Sequence, residues 1–187
     1  ITTTNTLKAH FVKKEQPTIS TVYFLNGGLS LMALLVLFAY AGFKLEFSTF
    51  TLITAVIFGA ATMVYHSCST LAVRVGPYSY TTVIASLSTI ITALSGWVYW
   101  GEKLSIFKVV GLVFIIACFI LAVDRKKDTK SKNLVWFILC MVCLVASASI
   151  GLTQKVHQSS NFRQELNGFL CLGFVVYTVS TFAIGFI

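Results

Sequence analysis

An all-α integral membrane protein with six spanning helices is the fold class this sequence predicts, on three observations. Hydrophobic residues make up 57% of the 187-residue chain and charged residues 11%, against ~25% charged in an average soluble domain. The charges cluster, leaving six gaps without any: Gln16–Phe43, Phe47–Val73, Val75–Gly101, Val109–Val123, Asn133–Gln154 and Leu166–Ile187. A soluble globule of this size would instead scatter charge along the outer face of every helix.

Five of the gaps exceed the ~20 residues a helix needs to cross ~30 Å of hydrocarbon, and the fourth reaches it once Lys108 snorkels to the interface. The first gap carries Leu25-Asn26-Gly27-Gly28-Leu29, and the second holds Tyr65 and His66 near its centre. In the third, Ser88, Thr92 and Ser95 recur at three- and four-residue spacing and share one helix face. That run ends in Trp97, Tyr99 and Trp100, an aromatic belt at the membrane surface. The connector Gly101-Glu102-Lys103-Leu104-Ser105 makes a tight hairpin to the fourth run. Gly101 suits a left-handed helix end, while Glu102 and Ser105 suit the positive start of the next helix. Gln154 closes the fifth run and Asn167 opens the sixth.

The chain has no initiator Met, its last apolar run stops at Ile187, and Ile1 to Asn5 read as the tail of an earlier helix. The expectation is a piece of a longer polytopic protein. Its net charge of +8 sits in the loops, which points to anionic lipid and topology rather than nucleic acid. With the missing span counted as the first, one side of the membrane carries nine basic residues, Arg74 and the Arg125–Lys132 loop among them. The other side carries five, including Lys44, Lys103, Lys108, Lys155 and Arg163. That bias puts the Arg125–Lys132 loop in the cytoplasm.

All five cysteines lie inside apolar runs and read as small packing residues; Cys140 and Cys143, one turn apart, lack the partners a metal or redox site needs. No nucleotide-binding glycine loop, zinc-spaced set or activated nucleophile stands in the sequence, so neither catalysis nor a cofactor is expected.

An internal repeat turns the reading towards function. Lys8-Ala9-His10 precedes Leu25-Asn26-Gly27-Gly28-Leu29, and Lys155-Val156-His157 precedes Leu166-Asn167-Gly168-Phe169-Leu170. A repeat of ~145 residues and five helices inverts its second copy, the architecture in which transporters hold substrate near the midplane between the halves.

The residues Ala72-Val73-Arg74, Ser86-Leu87-Ser88, Gly101-Glu102-Lys103-Leu104-Ser105 and Gly111 resemble the second half of an EamA-type repeat of the drug/metabolite transporter superfamily. The similarity covers Thr49 to Val123 well and the remainder more loosely. Two departures stand out: Thr89 where the family often has the proline of a helix kink, and Cys118 where a second glycine for close packing is common. The resemblance implies a ten-helix carrier of two inverted five-helix repeats, moving a small metabolite or drug by alternating access in the cell membrane. Residues 1–124 would be the end of its first helix and its second to fifth, 125–132 a basic loop, and 133–187 the first two helices of the second repeat. It also implies a cytoplasmic N-terminus, which puts the 125–132 loop outside, against the charge bias.

Polar groups within apolar runs must face protein or a wet cavity, because hydrocarbon leaves them unsatisfied. The residues so singled out are Asn26, Tyr65, His66, Ser88, Gln154 and Asn167, with Gly101, Glu102 and Gly111 shaping the hairpin. The asparagines offer donors and acceptors to a solute, or clamp helices. The serine stripe lines a polar path or lets helices approach closely. His66 titrates near neutral pH and is the candidate for proton coupling; a neutral buried His bonded to a neighbour is the other reading. Secondary transport of a small organic solute is the functional expectation. The alternative from another class is a non-transporting membrane assembly subunit.

Overall fold

The computed structural model describes residues 19–40, 46–102, 105–124 and 134–186. Its elements are α1 (Ile19–Tyr40), α2 (Thr49–Val75), α3 (Tyr78–Ser86), α4 (Ser88–Trp100), α5 (Ile106–Asp124), α6 (Leu134–Ser159), a 3-10 turn (Arg163–Glu165) and α7 (Leu166–Gly185). Five helical stretches are long and apolar enough to cross a membrane, with α3 and α4 together making one of them. The sixth expected span is α5, whose stretch Ile106–Cys118 is apolar but shorter.

Local chemistry sets the boundaries. Ser48 caps α2, its Oγ accepting the Thr51 N–H at 3.2 Å. Gly101 ends α4 in the left-handed region, with φ of 59°, and the N–H groups of Gly101 and Glu102 both fold back on the Gly96 carbonyl. Ser105 opens α5, its carbonyl accepting from Lys108 and Val109. Between α3 and α4 the third span breaks at Leu87 without a proline. Leu87 donates to Ile84 and Ile90 donates to Leu87, both three-residue bonds, while the hydroxyls of Ser86 and Ser88 bond back to the carbonyls of Thr82 and Ala85. Hydroxyls competing for helix carbonyls bend a helix. The kink therefore survives the Thr89 departure, with serines in the role of proline.

Contacts fix the helix directions. On α1 and α7, Ser30 meets Thr178 at 2.9 Å and the Phe24 ring meets Phe186 at 5.0 Å, so the two run antiparallel. Along α2 and α7 the pairs Phe58–Phe169 and His66–Tyr177 advance together, so these are parallel. Thr51 with His157 and Tyr65 with Cys143 make α2 and α6 antiparallel. Thr81 with Trp136 and Ser88 with Ser147 make the broken span parallel to α6. Every one of these relations is what successive membrane crossings require.

The packing is inside-out relative to a soluble bundle. Ser30, Thr51, Thr54, Thr62, Ser88 and Thr181 are buried, whereas large residues such as Val36 and Leu134 are about 70% exposed, at 69% and 70%. Small and hydroxylated residues let helices approach in lipid, where tails solvate the large ones. The backbones of α2 and α7 approach closely: a Cβ added at Gly59 would lie 2.7 Å from the Gly173 carbonyl oxygen.

Candidate solute-binding site

Three helix ends meet on one side of the bundle: the first two turns of α1, the last two of α2 and the last of α7. They border a partly open cavity of about 230 Å³ lined by Val22, Tyr23, Asn26, Ser67, Thr70, Leu71, Arg74 and Ile184. The lining surface is almost wholly apolar, with Asn26 and Arg74 among the residues that border it.

Asn26 is the most telling of these. It sits about 10 Å along α1 from its start at ~1.5 Å per residue, and only 4% of it is exposed. Its amide forms no hydrogen bond with the described residues, although it borders the cavity. Burying a polar group unsatisfied costs roughly 1–3 kcal/mol, and more in hydrocarbon. A solute or water in the cavity relieves that cost. Arg74, in the last turn of α2, is half-buried. Thr70 spends its hydroxyl on the His66 carbonyl at 2.8 Å, leaving Tyr23 and Ser67 as the hydroxyls that face a guest.

The other residues singled out from the sequence fall in separate places. Half-buried His66 stacks on Tyr177 of α7 at 5.2 Å and meets the Tyr65 ring edge-on, one turn below Thr70. Ser88 is buried, and its hydroxyl pairs with Ser147 of α6 at 2.8 Å, so that stripe joins two helices. Gln154 is half-buried on α6 outside the cavity lining, and Asn167 is exposed at the start of α7. The two asparagines of the repeat thus have different surroundings. Gly101 shapes the hairpin through its left-handed backbone, and Gly111 faces open space.

The opposite end of the bundle holds two polar clusters that the sequence reading did not assemble. Glu102 accepts from Lys155 of α6 at 3.0 Å and from Lys108 of α5 at 3.2 Å, and Lys155 lies 5.9 Å from the Trp100 ring. The Lys155 hydrogen bond, then that of Lys108, holds the Glu102 carboxyl below its ordinary range. In the second cluster Thr51 donates its hydroxyl proton to Glu165, which also accepts the Ser48 N–H at 2.8 Å. The Thr51 oxygen must then accept from His157 Nε2, 3.1 Å away, which places the ring proton on Nε2. His157 is fully buried, stacked at 4.5 Å on Phe169, and its Nδ1 has no hydrogen-bond partner among the described residues.

The EamA-like transporter family matches residues 3–124, most of the chain, from ahead of α1 to the end of α5. The chain belongs to the EamA-like transporter family. It is accordingly a multi-pass integral membrane protein of a transporter family. No curated protein and no solved structure matches it. Within the EamA-matched region lie Asn26, Ser67 and Arg74 of the cavity and the whole Gly101–Ser105 hairpin; α6 and α7 lie beyond it.

Proposed function

We propose that this EamA-family chain serves a secondary carrier that moves a small metabolite or drug-like solute across the cell membrane by alternating access. The cavity between α1, α2 and α7 is its solute site. The observation that carries the reading is Asn26, a buried amide beside a partly open cavity with no hydrogen bond to the described residues. A protein that only packed helices would satisfy such a group with a neighbour, as Ser88 does with Ser147. The antiparallel contact of α1 and α7, the helices that carry the paired asparagines, supports the inverted five-plus-five arrangement.

On this reading His66 is the proton-coupling group. It sits one turn from the cavity wall and stacks on Tyr177 of α7, so a charge gained there bears on the α2–α7 contact. The test is flux of labelled solutes in proteoliposomes made with the full-length protein. Uptake or efflux that saturates with concentration is the expected result, and no flux across a broad metabolite and drug panel would overturn the assignment. His66→Ala should abolish the pH-dependence of that flux; a variant with unchanged pH-dependence removes His66 from the mechanism.

A further inference from the structure

We infer that the cavity between α1, α2 and α7 takes a compact neutral amphiphile: a single-ring or branched aliphatic body ending in one amide or hydroxyl that pairs with Asn26. The inference rests on the carrier reading and adds the chemistry of the solute.

The cavity surface sets the bulk of the guest. It is almost wholly apolar, with Val22, Leu71 and Ile184 on its lining, so apolar area gains by leaving water for it. A charged guest would shed its hydration there and find no counter-charge. None of the lining residues is Asp or Glu, so a cation goes unbalanced. Arg74 borders the space but already has an interaction of its own, so an anion gains no uncommitted guanidinium. An ion stripped of water without a partner loses far more than apolar contact returns.

Asn26 sets the polar end. The residue is 4% exposed, and its amide has no hydrogen bond to the described residues. A pure hydrocarbon guest, a lipid chain included, would leave that amide unsatisfied. An amide both donates and accepts, so a single hydroxyl or amide on the guest completes it. The hydroxyls of Tyr23 and Ser67 border the same space and offer a second bond.

Volume sets the size. An apolar cavity of about 150 Å³ holds one benzene. At about 230 Å³ this one admits a ring with a short substituent. It falls below the ~300–1,000 Å³ of sites for drug-sized ligands, so a large drug does not fit.

The test uses the full-length protein in nanodiscs and four probes of one shape: benzamide, isopropylbenzene, benzoate and benzamidine. Benzyl alcohol is added as the hydroxyl counterpart. Ligand-observed NMR reads saturable binding, and empty nanodiscs of the same lipid give the partitioning to subtract. Benzamide or benzyl alcohol should bind at least tenfold tighter than benzoate and benzamidine. Asn26→Leu, close in volume to the parent residue, should weaken that ligand about three- to tenfold, the worth of one net hydrogen bond. It should leave isopropylbenzene as tight or tighter. Ser67→Phe fills the space from α2 and should abolish binding of both, and it serves as the second variant if Asn26→Leu does not fold. Equal affinity of charged and neutral probes, or no saturable binding by either benzamide or benzyl alcohol, would overturn the inference. So would an equal loss of polar and hydrocarbon probes in Asn26→Leu, or binding indifferent to Ser67→Phe. Labelling of the cavity lining by a photoreactive acyl-chain lipid that neither neutral probe suppresses would make a lipid the occupant and overturn it too. Binding requires no flux, so the two readings fail separately. A chain that moves a charged solute and binds neither neutral probe loses this site chemistry and keeps the carrier. One that binds a neutral probe but moves nothing keeps the site and loses the carrier.

Discussion

Glu102 shows how a single interfacial side chain can hold three helices. It follows α4 and bonds lysines on α5 and α6, and both lysines depress its titration, Lys155 more than Lys108. A carboxyl whose folded value lies below its unfolded one contributes stability that is present above the unfolded value and lost as pH falls through the folded one. Thermal stability should therefore decline on acidification below about 4.5, the ordinary value of the group. Glu102→Gln should flatten that part of the profile, and a profile identical to the parent's would remove the ion pairs from the account. Thr51 is the residue with most partners in the second cluster. Thr51→Val keeps the volume but leaves the buried Nε2–H of His157 without an acceptor, which should cost about 1–3 kcal/mol in thermal unfolding. Which of these residues could be read from the sequence follows from chemistry. The sequence marks Asn26 because an amide within an apolar run has to face protein or water. Arg74 was counted as a loop charge, since a cation at a helix end sets topology whether or not it also borders a cavity. His157 was read as part of a loop motif because Lys155 looked like the end of a span, whereas α6 continues to Ser159 and carries the ring into the core.

At the scale of elements, charge-free gaps located the five stretches long enough to span, and the shorter α5, since the bilayer punishes charge in the same way along each helix. They could not show the break at Leu87. It coincides with a pair of serine hydroxyls bonding back to carbonyls, and hydroxyls carry no charge signature. Nor could they show which glycines matter. Gly59 and Gly28 both lie inside apolar helices, yet a Cβ at Gly59 would strike the Gly173 carbonyl, while one at Gly28 meets nothing within 4 Å. Gly59→Ala should destabilise the α2–α7 contact by about 1–3 kcal/mol, because the obstacle is backbone and cannot rotate away. Gly28→Ala should be neutral or gain up to about 1 kcal/mol from helix propensity. Unfolding of both variants in the same detergent checks the pair, and equal stabilities would mean that α2 and α7 do not approach as closely as the structure has them.

Across the whole molecule the two ends of the bundle divide the work. The end with Glu102, Lys155, Thr51, His157 and Glu165 is tied by ion pairs and hydrogen bonds between α2, α4, α5, α6 and the 3-10 turn. The end with Asn26 and Arg74 holds the cavity and joins α1 to α7 through the Phe24, Phe182 and Phe186 rings, with a Trp136–Thr81 hydrogen bond tying α6 to α3. Alternating access needs a side that opens and a side that stays shut while it does. On the proposed carrier reading, α1 and α7 would part around the cavity while the polar clusters hold the far end closed. Cysteine accessibility tests the division in a full-length chain cleared of its native cysteines. Asn26→Cys should react with a water-soluble maleimide, and solute should slow the reaction. Val36→Cys, 69% exposed on the apolar surface, should react only with a lipid-soluble reagent. Thr51→Cys should be protected while the far end is shut, and adding Glu102→Gln should expose it by untying α4 from α6. If Thr51→Cys labels as fast as Asn26→Cys with Glu102 intact, the far end is not the closed one, and the roles of the two ends must be reversed.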